Sequence, residues 1–243
     1  MDIPTKKHRK ILITQALPYA NASLHLGHIL EAVQTDIWSR YQNLNGNECY
    51  FFCADDTHGT PVMLKAKELN ISPEELIKNI YKDHIKTYEK YNILFTNFYS
   101  THSDENKNYS EFIYEKAKSK NLITREKIEQ LYDDKEKMFL SDRFIKGSCP
   151  KCDAEDQFGD NCGKCGASYD VLDIKNPIST ISNTSPIKKQ SEHIFFNLEK
   201  QKDILENFLD KANLQDPVKN KLKEWLDDDL KKWDISRDEP YFG

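Results

Sequence analysis

Residues 11–30, ILITQALPYANASLHLGHIL, decide the fold of this chain. Ile11-Leu12-Ile13 is a short apolar run closed by Pro18, and it fits a strand buried in a parallel sheet better than one with a solvated face. A loop follows, and from Leu26 the apolar residues Leu30, Val33, Ile37, Tyr41 and Leu44 recur at helical spacing. Gly46 stands where a left-handed cap would end that helix. Strand, loop and helix make the first half of a βαβ unit, with His25 and His28 flanking a Leu-Gly step at the helix start. Free amides and the positive end of the helix dipole favour an anion there, and both imidazoles can reach it. Gly27 lets a flat ring or a phosphate approach the backbone closely.

The same alternation continues outward. Cys49-Tyr50-Phe51-Phe52-Cys53-Ala54 is a second apolar run of strand length that stops at Asp55-Asp56-Thr57-His58-Gly59, which places carboxylates at a strand's C-terminal end. Cys49 and Cys53 read as small buried apolar residues. Thr60-Pro61 starts another helix, and Ser72-Pro73-Glu74-Glu75 supplies a capping box with proline in the first turn. Asn97-Phe98-Tyr99-Ser100 is a third strand candidate with Thr101-His102 at its tip. Strands alternating with helices predict an α/β fold whose first part is half of a doubly wound parallel (Rossmann-like) sheet. Its ligands would bind where strand C-termini meet helix N-termini.

Beyond about Asn121 the character changes. Ile128, Leu131, Met138, Phe139 and Leu140 lie in short segments broken by charged turns, and a cysteine-rich stretch follows. His193 to Leu198 is strand-like, and helical stretches follow near Leu198 to Leu209 and Pro217 to Leu230. This pattern predicts an inserted α+β domain over residues 121–232, between a first catalytic half at 1–120 and a return segment at 233–243.

Cys149-x2-Cys152-x9-Cys162-x2-Cys165 carries two chelating pairs, each able to fill two corners of a tetrahedron. Four soft thiolates match the preference of Zn2+, and a four-thiolate site leaves no open position, so the expected zinc is structural. Gly147, Gly163 and Gly166 would permit turns that aim amides at sulfur, and Lys151 and Lys164 would offset thiolate charge. The competing reading is a pair of disulfides, which a chain without an export signal disfavours.

Composition sets the outer limits. No apolar run reaches the ~18–20 residues of a membrane span, and the first residues lead into no signal-peptide core. A cytoplasmic protein without a membrane partner is expected. A net charge of -5 argues against a broad nucleic-acid surface. The basic runs from Lys6 to Lys10 and from Lys116 to Lys127 read as solvated charge.

His25-Leu26-Gly27-His28 resembles the HIGH signature of class I aminoacyl-tRNA synthetases, and the preceding Ala16-Leu17-Pro18-Tyr19-Ala20-Asn21 is the form familiar from methionyl-tRNA synthetases. Cys53 to Pro61, the single four-cysteine knuckle at 149–165, and Trp233-Asp234-Ile235-Ser236-Arg237-Asp238 agree in order and approximate spacing. The resemblance implies activation of methionine by ATP, with Mg2+, to methionyl-adenylate and transfer to tRNA(Met). It implies that His25, His28 and Arg237 serve catalysis at the phosphates. Ala16, Gly27 and Glu31 would join the two histidines around ATP, while Leu17, Tyr19 and Asp56 would hold methionine, the last through its ammonium group. Taken without the resemblance, Asp56 reads equally as a solvated turn residue, Arg237 as a surface ion pair and Tyr19 as packing.

The family's second signature, a K-M-S-K-S loop, does not occur in these residues. Lys116-Ala117-Lys118-Ser119-Lys120 looks like it only superficially and reads as helix surface. The expectation is an amino-terminal part that lacks the carboxyl-terminal half of the synthetase, binds zinc, has little activity alone and leaves an apolar sheet edge open. Isoleucyl, valyl, leucyl and cysteinyl enzymes share the H-x-G-H element, so another class I synthetase is one alternative. A zinc-stabilised, non-catalytic RNA- or protein-binding module is the other.

Overall fold

A computed structural model describes residues 8–227 and 230–243. Lys6 and Lys7 of the first basic run, and positions 228–229 in the last helical stretch, lie outside the described residues. The chain divides into two compact units: residues up to Glu111 with Tyr241–Gly243, and Phe112–Pro240.

In the first unit, strands β1 (Lys10–Thr14), β2 (Glu48–Asp55) and β3 (Asn97–Ser100) form a parallel sheet in the order β1-β2-β3. Parallel neighbours need a crossover, supplied by helix α1 (Leu26–Leu44) between β1 and β2 and by α2 (Thr60–Leu69) and α3 (Pro73–Lys90) between β2 and β3. Helix α4 (Asp104–Ser119) follows β3. Ser72 caps α3 by accepting the Glu75 amide at 3.1 Å, with Pro73 at its first position. Gly46 takes φ +79° just past α1 and turns the chain into β2.

The core of this unit packs α1 and α3 against one face of the sheet: Ile13, Ile29, Ala32, Phe51, Tyr88 and Ile93. Two expectations need correction. The Ile11-Leu12-Ile13 run is not buried on both faces, because Leu12 pairs with Tyr50 on the opposite face of the sheet and stays 69% exposed. In α1, Leu30, Ile37, Tyr41 and Leu44 of the expected stripe are exposed while Val33 packs against the core, and the buried residues are Ile29, Ala32, Asp36 and Ser39. A carboxylate can occupy that interior face because its hydrogen bonds are made. Asp36 accepts from Arg40 Nε at 2.5 Å and from the Leu94 amide at 2.9 Å.

The second unit is built on an antiparallel ribbon of β4 (Ile123–Asp133) and β9 (Ile187–Phe196). With β5 (Met138–Phe139) and β10 (Trp233–Asp234) it forms a sheet of order β10-β9-β4-β5. A smaller sheet of order β7-β6-β8 comprises β6 (Ile145–Ser148), β7 (Gln157–Phe158) and β8 (Lys175–Ser179). Leu131, Leu140, Ile145 and Ile174 make the core here. Helices α5 (Lys202–Lys211) and α6 (Asp216–Asp227) follow β9.

The ribbon is longer than the sequence pattern suggested. Its outer residues are charged and so resemble a loop by composition, but they pair diagonally across the strands. Arg125 bonds Glu192 at 3.0 Å and Lys188 approaches Glu129 at 3.2 Å. The strand read as His193 to Leu198 therefore begins six residues earlier, at Ile187.

Phe51 is 1% exposed at the centre of the first core. Phe51→Ala is expected to destabilise the first unit by about 3–5 kcal/mol, read as a lower denaturant midpoint at unchanged slope.

Candidate functional site

His25 is the N-cap of α1, with extended backbone angles of φ -102° and ψ 173°. Its Nδ1 accepts the Gly27 amide at 3.0 Å, and the His28 Nδ1 accepts the His25 amide at 3.3 Å. The rings stack with centroids 3.7 Å apart and planes inclined by 20°. Because each Nδ1 is an acceptor, each neutral ring carries its proton on Nε2. The cap thus fixes the tautomer and leaves two N–H donors for a ligand. A Cβ on Gly27 would stand 2.8 Å from His25 Cε1, so glycine is what lets the ring lie over the first turn. Burial, then His25 and His84, lower the His28 pKa, with Glu31 opposing. His28 is therefore a neutral donor near pH 7, and no cation has to be desolvated when an anion arrives.

The loop between β1 and α1 is fastened to the tip of β2. The Asp56 amide donates to the Pro18 carbonyl at 2.9 Å and the Ala20 amide donates to the Asp56 carbonyl at 2.8 Å, making a parallel bridge at Tyr19 and Asp56. Glu31 Oε1 accepts the Ala16 amide at 2.7 Å and so ties the end of β1 to α1. The Tyr19 hydroxyl donates to the His58 carbonyl. A Cβ at Gly59, whose φ is +109°, would lie 2.5 Å from that hydroxyl. Burial, then Asp56 and Tyr241, push the Tyr19 pKa up to about 12, which keeps it a neutral phenol. Burial also raises the Asp56 carboxyl, while the His58 ring and amide pull it back. Leu17 is 45% exposed beside this loop, free to meet an apolar ligand. Ala16, Leu17, Tyr19, His25, Gly27, His28, Glu31 and Asp56 thus all lie on the β1–α1 loop, the first turns of α1 and the β2 tip to which that loop is fastened.

Several neighbours carry no signal in the sequence. Thr57 donates its amide to Thr101 Oγ1 at 3.0 Å, locking the β2 and β3 tips together. His58 Nε2 and His102 Nδ1 are 3.0 Å apart, and Phe242 packs edge-on against the first and stacked on the second. A cleft of ≈ 650 Å3 opens beside this pair. His84 and Asp55 are both fully buried and hydrogen-bonded at 2.7 Å. The acidic strand end announced Asp55, but only an unremarkable position in an amphipathic helix held His84.

In the second unit the four cysteine sulfurs lie within 4.8 Å of one another. Cys149 and Cys165 are 3.9 Å apart, and Cys152 and Cys162 are 3.7 Å apart. All are free thiols. A tetrahedron with Zn–S bonds of about 2.3 Å has edges of about 3.8 Å, so the cluster can bind one zinc ion. Amides aimed at sulfur include those of Lys151 and Cys165, each at 3.4 Å. The glycines' own amides that are described have other acceptors. That of Gly163 donates to Gln157 Oε1 at 2.8 Å and that of Gly166 to the Cys162 carbonyl at 2.9 Å. The tight knuckles recruit the amides two or three residues after each first cysteine, and the glycines supply room and, at Gly166, a φ of +71°.

Arg237 also belongs to the second unit, exposed, donating from a terminal guanidinium nitrogen (Nη1) to the Ser236 carbonyl at 2.6 Å. The segment carrying it, just past β10, is held by a residue the sequence pattern gave no reason to choose. His193, 3% exposed, bonds Asp234 through Nδ1 at 2.5 Å and Asp238 through Nε2 at 2.7 Å. Burial alone would lower its pKa, but the bonds to Asp238 and Asp234 outweigh it and the net shift is upward. For Asp238 burial is likewise outweighed, by the bonds from His193, Ser191 and Gln130, and its pKa falls.

A family model described as tRNA synthetases class I (M) matches residues 11–243. Among solved structures, Mycobacterium tuberculosis methionyl-tRNA synthetase in complex with methionyl-adenylate is similar at a TM-score of 0.72 and 18% identity, covering 97% of this chain and 42% of that one. A second structure of the Mycobacterium tuberculosis protein bound by methionyl-adenylate gives a TM-score of 0.70 at 18% identity, with 98% and 42% covered. An Agrobacterium radiobacter K84 LeuRS, in a ternary complex with tRNA and LeuAMS, is similar at 0.64 and 17% identity, with 92% and 26% covered. At such identities the likeness establishes the fold. This chain spans 42% of the length of the methionyl-tRNA synthetase chains it matches. No helix of the described residues is long and apolar enough to cross a membrane.

Two outcomes are expected from this geometry. Metal analysis of the purified chain should find about one zinc, and chelation or Cys149→Ser should unfold the 149–165 knuckle, seen as lost amide dispersion there. A pKa raised above the ordinary 6.5 makes His193 stabilising below that pH, and the contribution is lost as pH rises through its folded value. The depressed Asp238 contributes above its unfolded pKa and loses that as pH falls. Protection of the Ile235 amide, which donates to the Ile194 carbonyl at 2.9 Å, should therefore decline from pH 6.5 upward after correction for intrinsic exchange.

Proposed function

Because this chain belongs to the tRNA synthetases class I (M), we propose that it is the amino-terminal part of a cytoplasmic methionine–tRNA ligase, with tRNA(Met), methionine and ATP as its partners. The reading assigns residues 1–120 to the first half of the catalytic domain, 121–232 to an inserted domain held by one structural zinc, and 233–243 to the segment returning toward the second half. The observation that carries it is the reciprocal histidine cap of α1, beside a loop fastened to the Asp56 strand tip.

In the first step a methionine carboxylate oxygen attacks the α-phosphorus of ATP, which enters with Mg2+, and pyrophosphate leaves. Charge shifts from the α-phosphate onto the departing pyrophosphate oxygens, and no protein nucleophile is needed. The Nε2–H donors of His25 and His28 are preorganised for those oxygens, and the family resemblance gives Arg237 the role of a cation toward them. Ala16, Gly27 and Glu31 border the adenosine. Asp56 pairs with the ammonium group of methionine, while Leu17 and Tyr19 border its thioether, an unbranched side chain that suits an adaptable apolar wall. In the second step a terminal hydroxyl of tRNA(Met) attacks the adenylate carbonyl and AMP leaves.

A non-hydrolysable methionyl-adenylate analogue should bind this chain in calorimetry, and more tightly than the leucyl analogue. Removing one imidazole donor, by His25→Ala or His28→Ala, should weaken binding of ATP, which carries the pyrophosphate oxygens those rings face, by about 1.5–3 kcal/mol, roughly ten- to hundredfold in Kd. A zinc-loaded chain that binds neither analogue would be a binding module instead, and preference for the leucyl analogue would reassign the amino acid.

A further inference from the structure

The Asp55–His84 pair lies beneath the proposed site and takes no part in the chemistry assigned above. His84 projects from α3 with Nδ1 2.7 Å from Asp55 Oδ1 and Nε2 2.9 Å from the carbonyl oxygen of Ala22. Asp55 directly precedes Asp56 on the β2 tip, and Ala22 lies three residues before His25 on the loop entering α1. We propose that His84 is a positioning residue, and that the proton it shares with Asp55 holds the histidine cap of α1 in register with the Asp56 strand tip. This rests on the reading of that site as an adenylate site.

The proton follows from the partners. A carbonyl oxygen only accepts, so Nε2 carries hydrogen. Nδ1 must then either donate to an Asp55 carboxylate or accept from an Asp55 carboxyl group. In both cases one proton lies between the two atoms, and without it two lone pairs would face each other at 2.7 Å inside a dry interior. Asp55 Oδ2 is buried without a hydrogen-bond partner, which makes a bare carboxylate costlier still. Burial lowers the His84 pKa but the bond and charge of Asp55 outweigh it, so the net shift is upward. Burial likewise raises Asp55 against the opposing effect of His84. The other groups that bear on the pair are Asp83, Tyr81 and Tyr88 on α3, Cys53 on β2 and His28 on α1. Burial holds the Cys53 thiol up at about 12 and the tyrosines as neutral phenols, so they carry no charge near pH 7. His28 stays neutral, and Asp83 favours retention of the proton.

The relay is therefore complete below 6.5 and is lost as pH rises through the raised His84 value. Asp55→Asn replaces the shared proton with an amide hydrogen that neutral His84 Nδ1 accepts and that does not titrate in this range. Two measurements on the whole chain test the proposal. In NMR titrations, the amides of residues 22–28 and of Asp56 should shift with the apparent pKa of the His84 ring, and Asp55→Asn should abolish that alkaline transition. In calorimetry, affinity for the methionyl-adenylate analogue should fall along the same curve. His84→Phe should weaken binding about tenfold or more, while Asp55→Asn binds like the parent at neutral pH and keeps its affinity when alkaline. A His84 ring that titrates below 6.5, or amides of residues 22–28 that ignore its titration, overturns the relay. If the parent chain binds no analogue at all, the adenylate reading falls while the NMR titration still decides the relay. Should His84→Phe lose the dispersion of β2 and β3, Asp55→Asn decides instead: loss of the alkaline transition supports the relay and its persistence overturns it.

Discussion

Two backbone hydrogen bonds, from the Asp56 amide to Pro18 and from the Ala20 amide to Asp56, underlie the whole arrangement of the first unit's site. They extend strand pairing past the end of β1 and carry a loop that would otherwise be free up to the tip of β2. Once the loop is fixed, His25 has one way to enter α1, as an N-cap, and its ring settles over Gly27. The capping requirement of a helix and the orientation of two imidazole donors are met by the same pair of bonds. Free amides at a helix start must find acceptors, and here the acceptors are the Nδ1 atoms, so the opposite face of each ring is directed outward as a donor.

Histidine behaves in more than one way in this chain, and the neighbour decides which. His28 meets another imidazole and burial, and its pKa goes down. His84 and His193 are also buried, yet each touches a carboxylate and each goes up. A carboxylate within hydrogen-bond distance outweighs desolvation because it interacts with the charged form in a poorly screened interior. The neutral ring of His28 keeps an outward donor, and the proton-holding rings are those that join segments: His84 joins α3 to a loop and a strand tip, and His193 joins β9 to β10 and the segment that follows it.

The second unit solves a different problem. Its cores are small, and the apolar core of the knuckle consists of Cys149, Ala154 and Cys162. So little apolar area cannot order a segment of this length, and four sulfurs at the corners of a zinc-sized tetrahedron can once they share the ion. The ribbon of β4 and β9 alternates exposed with less exposed residues from Arg125 to Gln130, and diagonal ion pairs bridge its exposed face.

The sequence by itself determined the alternation of strands and helices, the parallel β1-β2-β3 order's first crossover, the cysteine cluster and the HxGH cap, because these are local patterns. A four-residue knuckle, a helix start and an apolar run are specified by residues that are neighbours in the chain. It did not determine which face of α1 is buried, since that depends on Leu94 offering its amide to Asp36 from 58 positions away. Nor did it determine the length of β9, whose polar residues become strand only when β4 lies beside them. His84 and His193 were unreadable for the same reason. An imidazole takes its charge state from a carboxylate 29 or 45 residues distant, and only the folded chain brings the two within hydrogen-bond range.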